Sequence, residues 1–323
     1  MDHNHLRRLH GKGSGPWQPV TYWITLIAKS EIADNTWQFV FEKPTDFHYR
    51  AGQHVRMTLN GDHRFWSFAS APCEPDLAFA IRLRPSRFKQ ALADLPLGAQ
   101  VRIDMLANPP KGAFALDPTD VRPAVFLAGG IGVAPAFSMI KQALNDTPAR
   151  TLALFYANRR PQDAPFLAEL QALAGNHPNF HFIPTMTGST PDWSGETGRI
   201  DLAMLERHLS DLKSLAWYIA GLSPMVRDLK AALAYAAVPK SALHTEEFGS
   251  FNSSKPPPKS RLPLLLLALV VAAAVAIHAL PVTLILRSTH PTLSWSNPAV
   301  WISVAIATLI LIKLALLSRL RSK

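Results

Sequence analysis

A run of strand-forming residues at positions 124–128 feeds directly into Gly129, Gly130 and Gly132, and then into a helix entered through Pro135. Glycines let the backbone turn tightly and let it come close to a phosphate, because no Cβ stands in the way. Pro135 suits a first helical turn, where its missing N–H would have had no partner. The free amides of such a helix start, together with the helix dipole, favour an anion. The spacing is Gly-x-Gly-x-x-Pro, not the dinucleotide fingerprint that ends in Gly. A tight strand-to-helix turn without a ligand would use the same glycines. Either way, a buried strand running into a helix commits this part of the chain to a layered α/β arrangement.

The chain beyond Pro123 repeats that logic. Apolar stretches of strand length at 124–128, 151–156, 180–183 and 215–220 alternate with helical stretches at 137–144, 164–173, 202–209 and 225–236. Strands buried on both faces and separated by helices predict a doubly wound parallel sheet. Residues 21–116 read differently. Short alternating runs at 22–27, 36–41, 54–59, 77–83 and 101–105, broken by turn residues, predict a small antiparallel barrel or sandwich. Residues 87–95 interrupt that texture with helical spacing behind Ser86, which can cap them.

Composition matters most at the C-terminal end. Only 17% of the 323 residues are charged, against about 25% in ordinary soluble domains. Beyond Arg261 there is no Asp or Glu, while Arg287, Lys313, Arg319, Arg321 and Lys323 supply half of the formal net charge of +10. The runs 262–286 and 299–317 are long enough as helices, about 37 Å and about 28 Å, to cross a bilayer. Trp295 and Trp301 lie near the start of the second run and Lys313 near its end, at belt and snorkel positions. Basic flanks at Lys255, Lys259, Arg261, Arg319, Arg321 and Lys323 put both termini on the cytoplasmic side. Residues 252–261, Pro- and Lys-rich, read as a stiff linker. His278 lies alone within the first run, where a haem would want a pair of histidines.

Residues 1–16 read as a disordered polar leader with no signal-peptide core, despite His3, His5 and His10. A single cysteine, Cys73, excludes an internal disulfide and any all-thiolate cluster or zinc site built by this chain alone. No basic stripe interleaved with exposed aromatics suggests a nucleic-acid partner.

The segment Arg64-Phe-Trp-Ser-Phe-Ala-Ser70 places a cation, aromatics and hydroxyls on one strand, with Arg64 and Trp66 on one side and Phe65 and Ser67 on the other. An Arg beside a stackable ring suits a phosphorylated ring compound, although an ordinary half-buried strand would look similar. Together with the glycine turn, this segment makes the chain resemble the ferredoxin–NADP reductase family over residues 17–251. Ala51-Gly-Gln-His-Val55 is similar to that family's strand opening, and Arg64-Phe65-Trp66-Ser67 to its Arg-x-Tyr-Ser flavin motif. Ile81-Arg-Leu-Arg-Pro-Ser-Arg-Phe-Lys-Gln90 resembles the second flavin segment, and Pro109-Pro-Lys-Gly-Ala-Phe114 the turn that closes the barrel. Tyr218-Ile-Ala-Gly-Leu-Ser-Pro-Met225 resembles the Cys-Gly-x-x-x-Met stretch, with Ala220 where many members carry Cys. His244-Thr-Glu-Glu-Phe-Gly249 resembles the flavohaemoglobin-type ending.

The resemblance implies an FAD-binding barrel at 17–118 and an NAD(P)-binding domain at 119–251. It assigns FAD to Arg64, Phe65, Trp66, Ser67, Arg82, Leu83, Ser86, Phe88 and Lys89. The nicotinamide nucleotide falls to Gly129, Gly130, Gly132, Pro135, Ala220, Gly221, Met225 and Phe248, with Asn158, Arg159 and Arg160 at the ribose. Hydride would pass from NAD(P)H to FAD, with Ser67 near the reactive flavin nitrogen and Glu246 positioning the nicotinamide. No acidic residue stands at 158–160 to select a ribose hydroxyl, which favours NADPH through Arg159 or Arg160; two solvated surface arginines would look the same. The chain holds no iron–sulfur or haem module of its own, so electrons pass to a partner protein or a quinone at the membrane. The competing reading is a non-catalytic flavin-binding redox sensor or scaffold subunit.

Overall fold

A computed structural model of the chain describes residues 19–106, 114–117, 119–147, 149–188 and 191–248. The leader, most of the 109–114 turn, the linker and both long apolar runs lie outside the described residues. Among the described residues no helix is long and apolar enough to cross a membrane.

Six antiparallel strands make the first half: β1 (Pro19–Ala33), β2 (Thr36–Glu42), β3 (His54–Leu59), β4 (Asp62–Ser67), β5 (Asp76–Arg82) and β6 (Gln100–Leu106), in the spatial order β4-β3-β6-β1-β2-β5. β1 serves two neighbours, pairing with β6 through its first half and with β2 through its second. Register shifts between Leu26 and Ala28 and between Glu31 and Ala33 bend it enough to do so. The edges meet just beyond β4, where the Ala69 N–H donates to the Ala78 carbonyl at 2.8 Å. Ile24, Leu26, Phe39, Phe41, Phe68, Phe79 and Ile103 fill the interior. Asn60 (φ 51) and Gly61 (φ 77) both sit in the left-handed region. They make the tight hairpin that sets His54 opposite Ser67.

Helix α1 (Arg87–Ala93) starts where the spacing predicts, behind Ser86, whose side chain accepts from the Lys89 N–H. It ends at Ala93, two residues early, with Asp94 as its C-cap.

The second half is a parallel sheet of β7 (Ala124–Gly129), β8 (Leu152–Asn158), β9 (Phe180–Met186), β10 (Glu196–Thr197), β11 (Ala216–Gly221) and β12 (Leu243–Glu247). Its spatial order is β10-β9-β8-β7-β11-β12. Helices α2 (Val133–Asp146), α3 (Leu167–Asn176), α4 (Leu202–His208) and α5 (Ser223–Tyr235) connect the strands. Separate apolar layers, one around Phe126, Tyr156 and Tyr218 and the other around Leu127, Phe155 and Trp217, cover the two sheet faces.

Two local expectations shift. α2 begins at Val133, so Pro135 is its third residue, still within the turn whose amides lack helical partners. α3 begins at Leu167 instead of 164, because Pro165 and Phe166, the latter at φ 61, hold the chain out of a helix. β10 and β12 are additional strands; both are short edge strands without apolar alternation.

The two halves form one compact unit. The Asp34 N–H donates to the Gln162 carbonyl at 2.8 Å, Ser138 Oγ to the Ser70 carbonyl at 2.5 Å, and Lys141 pairs with Glu74 at 2.5 Å.

Asp104 on β6 clamps the strands that carry the β3–β4 hairpin. Its carboxylate accepts from Thr21 on β1, Arg56 on β3 and Arg102 on its own strand. Burial raises its pKa, but these hydrogen bonds outweigh burial and hold the carboxyl below its usual value. The stability it contributes is therefore present above the unfolded Asp value and lost as pH falls through the folded one. Asp104→Asn should cost about 2 kcal/mol near neutral pH, less than a fully buried pair because both arginines are partly solvated. Denaturant unfolding across pH should show the gap between the two proteins closing below about pH 4.

Candidate active site

Ser67 ends β4, and Glu246 lies on β12 beside Ala220 of β11. The Ser67 hydroxyl donates to Glu246 Oε1 at 2.9 Å, joining the barrel to the last strand of the parallel sheet. His54 Nδ1 stands 3.7 Å from the same carboxylate oxygen. Glu246 Oε2 is buried without a partner. Burial pushes the Glu246 carboxyl up to about 7, opposed by the Ser67 hydrogen bond. Sequence reasoning places Ser67 and Glu246 in the site; it shows His54 only as part of a strand-opening motif.

The glycine turn lies at the point where strand order reverses, between β7 and β11. In an open α/β sheet, that crevice beyond the strand ends is where ligands bind. Gly130 takes φ +54, which favours glycine. A Cβ on Gly132 would run into the Ala220 carbonyl, and one on Gly129 into Met225 Sδ. Gly221 also lies against Met225, and the Phe248 N–H donates to the Gly221 carbonyl at 2.8 Å. The structure thus brings Gly129, Gly130, Gly132, Ala220, Gly221, Met225 and Phe248 together.

On the other side of β4, Trp66 lies against Phe88 of α1, with ring centroids 6.2 Å apart. The Arg64 guanidinium stands 5.6 Å over the Phe88 ring and Lys89 Nζ 5.7 Å over Trp66. Lys89 has its pKa lowered to about 8, first by burial and then by Arg84, Arg82 and Arg64. Arg84, supplied by the loop before α1, is a member of the cluster that sequence reasoning does not single out. Lys89 thus stands over an indole whose buried Nε1 has no partner, with three arginines close enough to Lys89 to lower its pKa. Phe65 faces away from them, half exposed and edge-on to His54 at 5.7 Å.

Other expected residues do different work. Leu83 packs on the barrel core, and its N–H donates to the Asn35 carbonyl. Arg82 reaches across the halves, donating to the Asp163 carbonyl at 2.7 Å and to Thr36 Oγ1 at 3.3 Å. Asn158 ends β8, buried, with no hydrogen bond to either side-chain polar atom. Arg160 is held by Asp163 and by Asp34 at 2.9 Å, whereas Arg159 is largely exposed and 3.6 Å from Asp163.

The residues present fit the groups that the sequence suggests. A cation cluster with an unpartnered indole N–H suits an anionic, ring-bearing cofactor such as FAD. A turn in which the Ala220 backbone leaves no room for a Cβ at Gly132, and Gly130 takes a left-handed φ, suits the close approach of a dinucleotide phosphate.

Fold and site together define the class of two-domain reductases in which an antiparallel barrel abuts a parallel nucleotide-binding sheet. Residues 126–231 match the family described as oxidoreductase NAD-binding domain. Ferredoxin–NADP reductase B of Sorangium cellulosum is 30% identical over 242 residues, 69% of this chain and 96% of that protein. The CDP-6-deoxy-L-threo-D-glycero-4-hexulose-3-dehydrase reductase of Yersinia pestis is 29% identical over 181 residues, 55% of this chain and 53% of that protein. The crystal structure of an Amycolatopsis cytochrome P450 reductase superposes with a TM-score of 0.63 at 23% identity, covering 72% of this chain and 71% of that one. The chain spans only 53% to 61% of the length of several curated relatives it matches. It belongs to the ferredoxin–NADP reductase-like family.

The raised Glu246 pKa has a stability consequence. Between the ordinary carboxyl value and about pH 7 the folded state holds a proton that the unfolded state has released, so stability falls as pH rises through that window. Glu246→Gln removes the ionisation and keeps an acceptor for Ser67. The variant should be more stable than the parent by roughly 2 kcal/mol at pH 8 and equal to it near pH 4, read by denaturant unfolding.

Proposed function

We propose that the chain is an NAD(P)H-dependent FAD oxidoreductase, held at a membrane by residues 262–286 and 299–317, which delivers electrons to a partner protein or a quinone. The observation that carries the reading is the Ser67–Glu246 hydrogen bond, which sets a barrel residue and a parallel-sheet residue at one point beside the glycine crevice. FAD, when bound, accepts hydride from the nicotinamide and passes the electrons on.

The chain's own residues bind and orient. Arg64, Lys89 and Arg84 would hold the flavin's pyrophosphate, with Trp66 against its rings. Gly129, Gly130 and Gly132 would admit the nucleotide's pyrophosphate, and Met225 and Phe248 would border the nicotinamide. Holding both reactants in one crevice replaces a diffusive encounter with a positioned one. Ser67 would present its hydroxyl oxygen beside the reacting nitrogen, with Glu246, which accepts from that hydroxyl, holding it in place. Arg159, the freer of the two arginines after Asn158, would pair with a 2′-phosphate and favour NADPH. A reductase that serves a separate acceptor also agrees with the relative named as a dehydrase reductase. The catalytic body and both termini would face the cytoplasm.

The full chain purified in detergent should carry FAD, and that flavin should bleach anaerobically on mixing with NADPH faster than with NADH. Ser67→Ala should slow bleaching by roughly tenfold to a hundredfold while leaving FAD occupancy unchanged; parallel loss of rate and occupancy would remove Ser67 from this role. Alkaline carbonate washing of membranes should leave the full chain in the pellet, and its release would overturn the anchor.

A further inference from the structure

We propose that the outer face of the barrel, across β4, β3, β6 and β1, is a lipid-docking surface that seats the catalytic body on an anionic bilayer. This rests on the membrane-held reading and deepens it by naming the side of the body that meets the lipid.

Strand register settles which residues share the face. Phe65 stands opposite Arg56, and Arg56 opposite Asp104. One row along, His63 stands opposite Thr58, Thr58 opposite Arg102, and Arg102 opposite Trp23. Cross-strand partners point to one side of a sheet. Val55, Met57, Ile103 and Ile24, which alternate with them, fill the barrel core, so this face looks outward.

Large apolar groups stand at both ends of it. Phe65 is 50% exposed at one end; at the other Trp23 is 52% and Ile27 42% exposed. Leu97, 61% exposed, joins the second group, because the Gly98 N–H donates to the Leu26 carbonyl at 2.8 Å and holds that loop against β1. Singly exposed apolar residues are ordinary, but their gathering on one sheet face is not. Arg56 and Arg102 lie between the two ends with partly exposed side chains. Asp104, the carboxylate that the register puts among them, is buried and accepts from both. The face is therefore cationic, and the sequence that leads into β1 adds Arg7, Arg8 and Lys12 against Asp2 alone.

Aromatic and aliphatic groups beside guanidiniums match the headgroup boundary, where rings and chains enter the acyl edge and cations meet lipid phosphates. An acidic protein would satisfy the arginines as well, but the length of the chain favours lipid. Between Phe248 and the first apolar run, which begins at 262, the chain can reach at most about 50 Å. A bilayer held that close presents itself to the face at high effective concentration. Ser67, opposite His54, ends the same face, so a body seated this way brings its site to the lipid surface, which suits an acceptor dissolved in the bilayer.

The test uses the full chain with Cys73→Ser and Leu97→Cys, which leaves one thiol for an environment-sensitive fluorophore. The chain is placed in nanodiscs of phosphatidylcholine and phosphatidylglycerol at about three to one, with a nitroxide on the lipid headgroup. The label at 97 should be quenched at least about threefold more than one at Tyr235→Cys, exposed on α5 of the nucleotide half. That difference should shrink severalfold in pure phosphatidylcholine or on raising salt to about 0.5 M, and also on adding Trp23→Gln with Ile27→Gln. Should the double variant misfold, the lipid and salt arms still decide. Equal quenching at the two positions, or quenching at 97 that ignores lipid charge and salt, overturns the proposal; the first result would leave the face to a protein partner. Release of the chain by carbonate would instead sink the anchor, while quenching at 97 by anionic vesicles would still read the face.

Discussion

A hydrogen bond between residues 179 positions apart, Ser67 to Glu246, is the contact on which the site depends. Neither partner could be placed there by its own half alone. Ser67 reaches it because Asn60 and Gly61 turn β3 into β4 without a spare residue, so a slip of one position would send Ser67 to the opposite face. Glu246 reaches it because β12 joins the sheet beyond β11, on the far side of the strand-order reversal. The ties at Asp34, Ser138 and Lys141 also fix one half against the other.

The two faces of β4 carry opposite electrostatics. Toward α1, Arg64 joins Lys89, Arg82 and Arg84, and the crowding of like charges adds to burial in lowering Lys89. Toward β12, Glu246 sits with a hydroxyl and no cation to offset its burial. Strand alternation alone separates them: consecutive side chains, Trp66 and Ser67, point to different sides. A region that favours phosphate and a region that favours a neutral, protonatable carboxyl can therefore stand one residue apart on one strand. Were the two on the same face, the cations would draw the carboxyl back to its ordinary value.

Much of this is legible in the sequence. The apolar runs of β2, β3, β6, β7 and β11 are recoverable almost to the residue, because packing against a core imposes a strong period. The glycine turn is recoverable because only glycine fits at Gly132 beside the Ala220 carbonyl and suits the left-handed φ of Gly130. β12 is not: Leu-His-Thr-Glu-Glu has no apolar alternation, and what makes it a strand is pairing with β11 from a distance in sequence. His54 and Arg84 are missed for a related reason. A polar residue at the edge of a strand or in a loop acquires its role only from what the fold brings next to it.

The adjacent arginines after β8 show the same limit at single-residue resolution. As sequence, Arg159 and Arg160 are equivalent claimants for a 2′-phosphate. In the fold, Arg160 is bound by the buried Asp163 and reaches Asp34 in the β1–β2 turn, so it bridges the halves. Arg82 approaches the same loop from β5 and donates to the Asp163 carbonyl. Drawing Arg160 toward a ligand would break two ion pairs and loosen the seam that holds Ser67 to Glu246. Arg159 can turn toward a phosphate at the loss of one long, solvated contact, which is worth little. The chain thus commits one of two identical side chains to holding the halves together and leaves the other largely exposed, and the division is set by which carboxylates lie within reach.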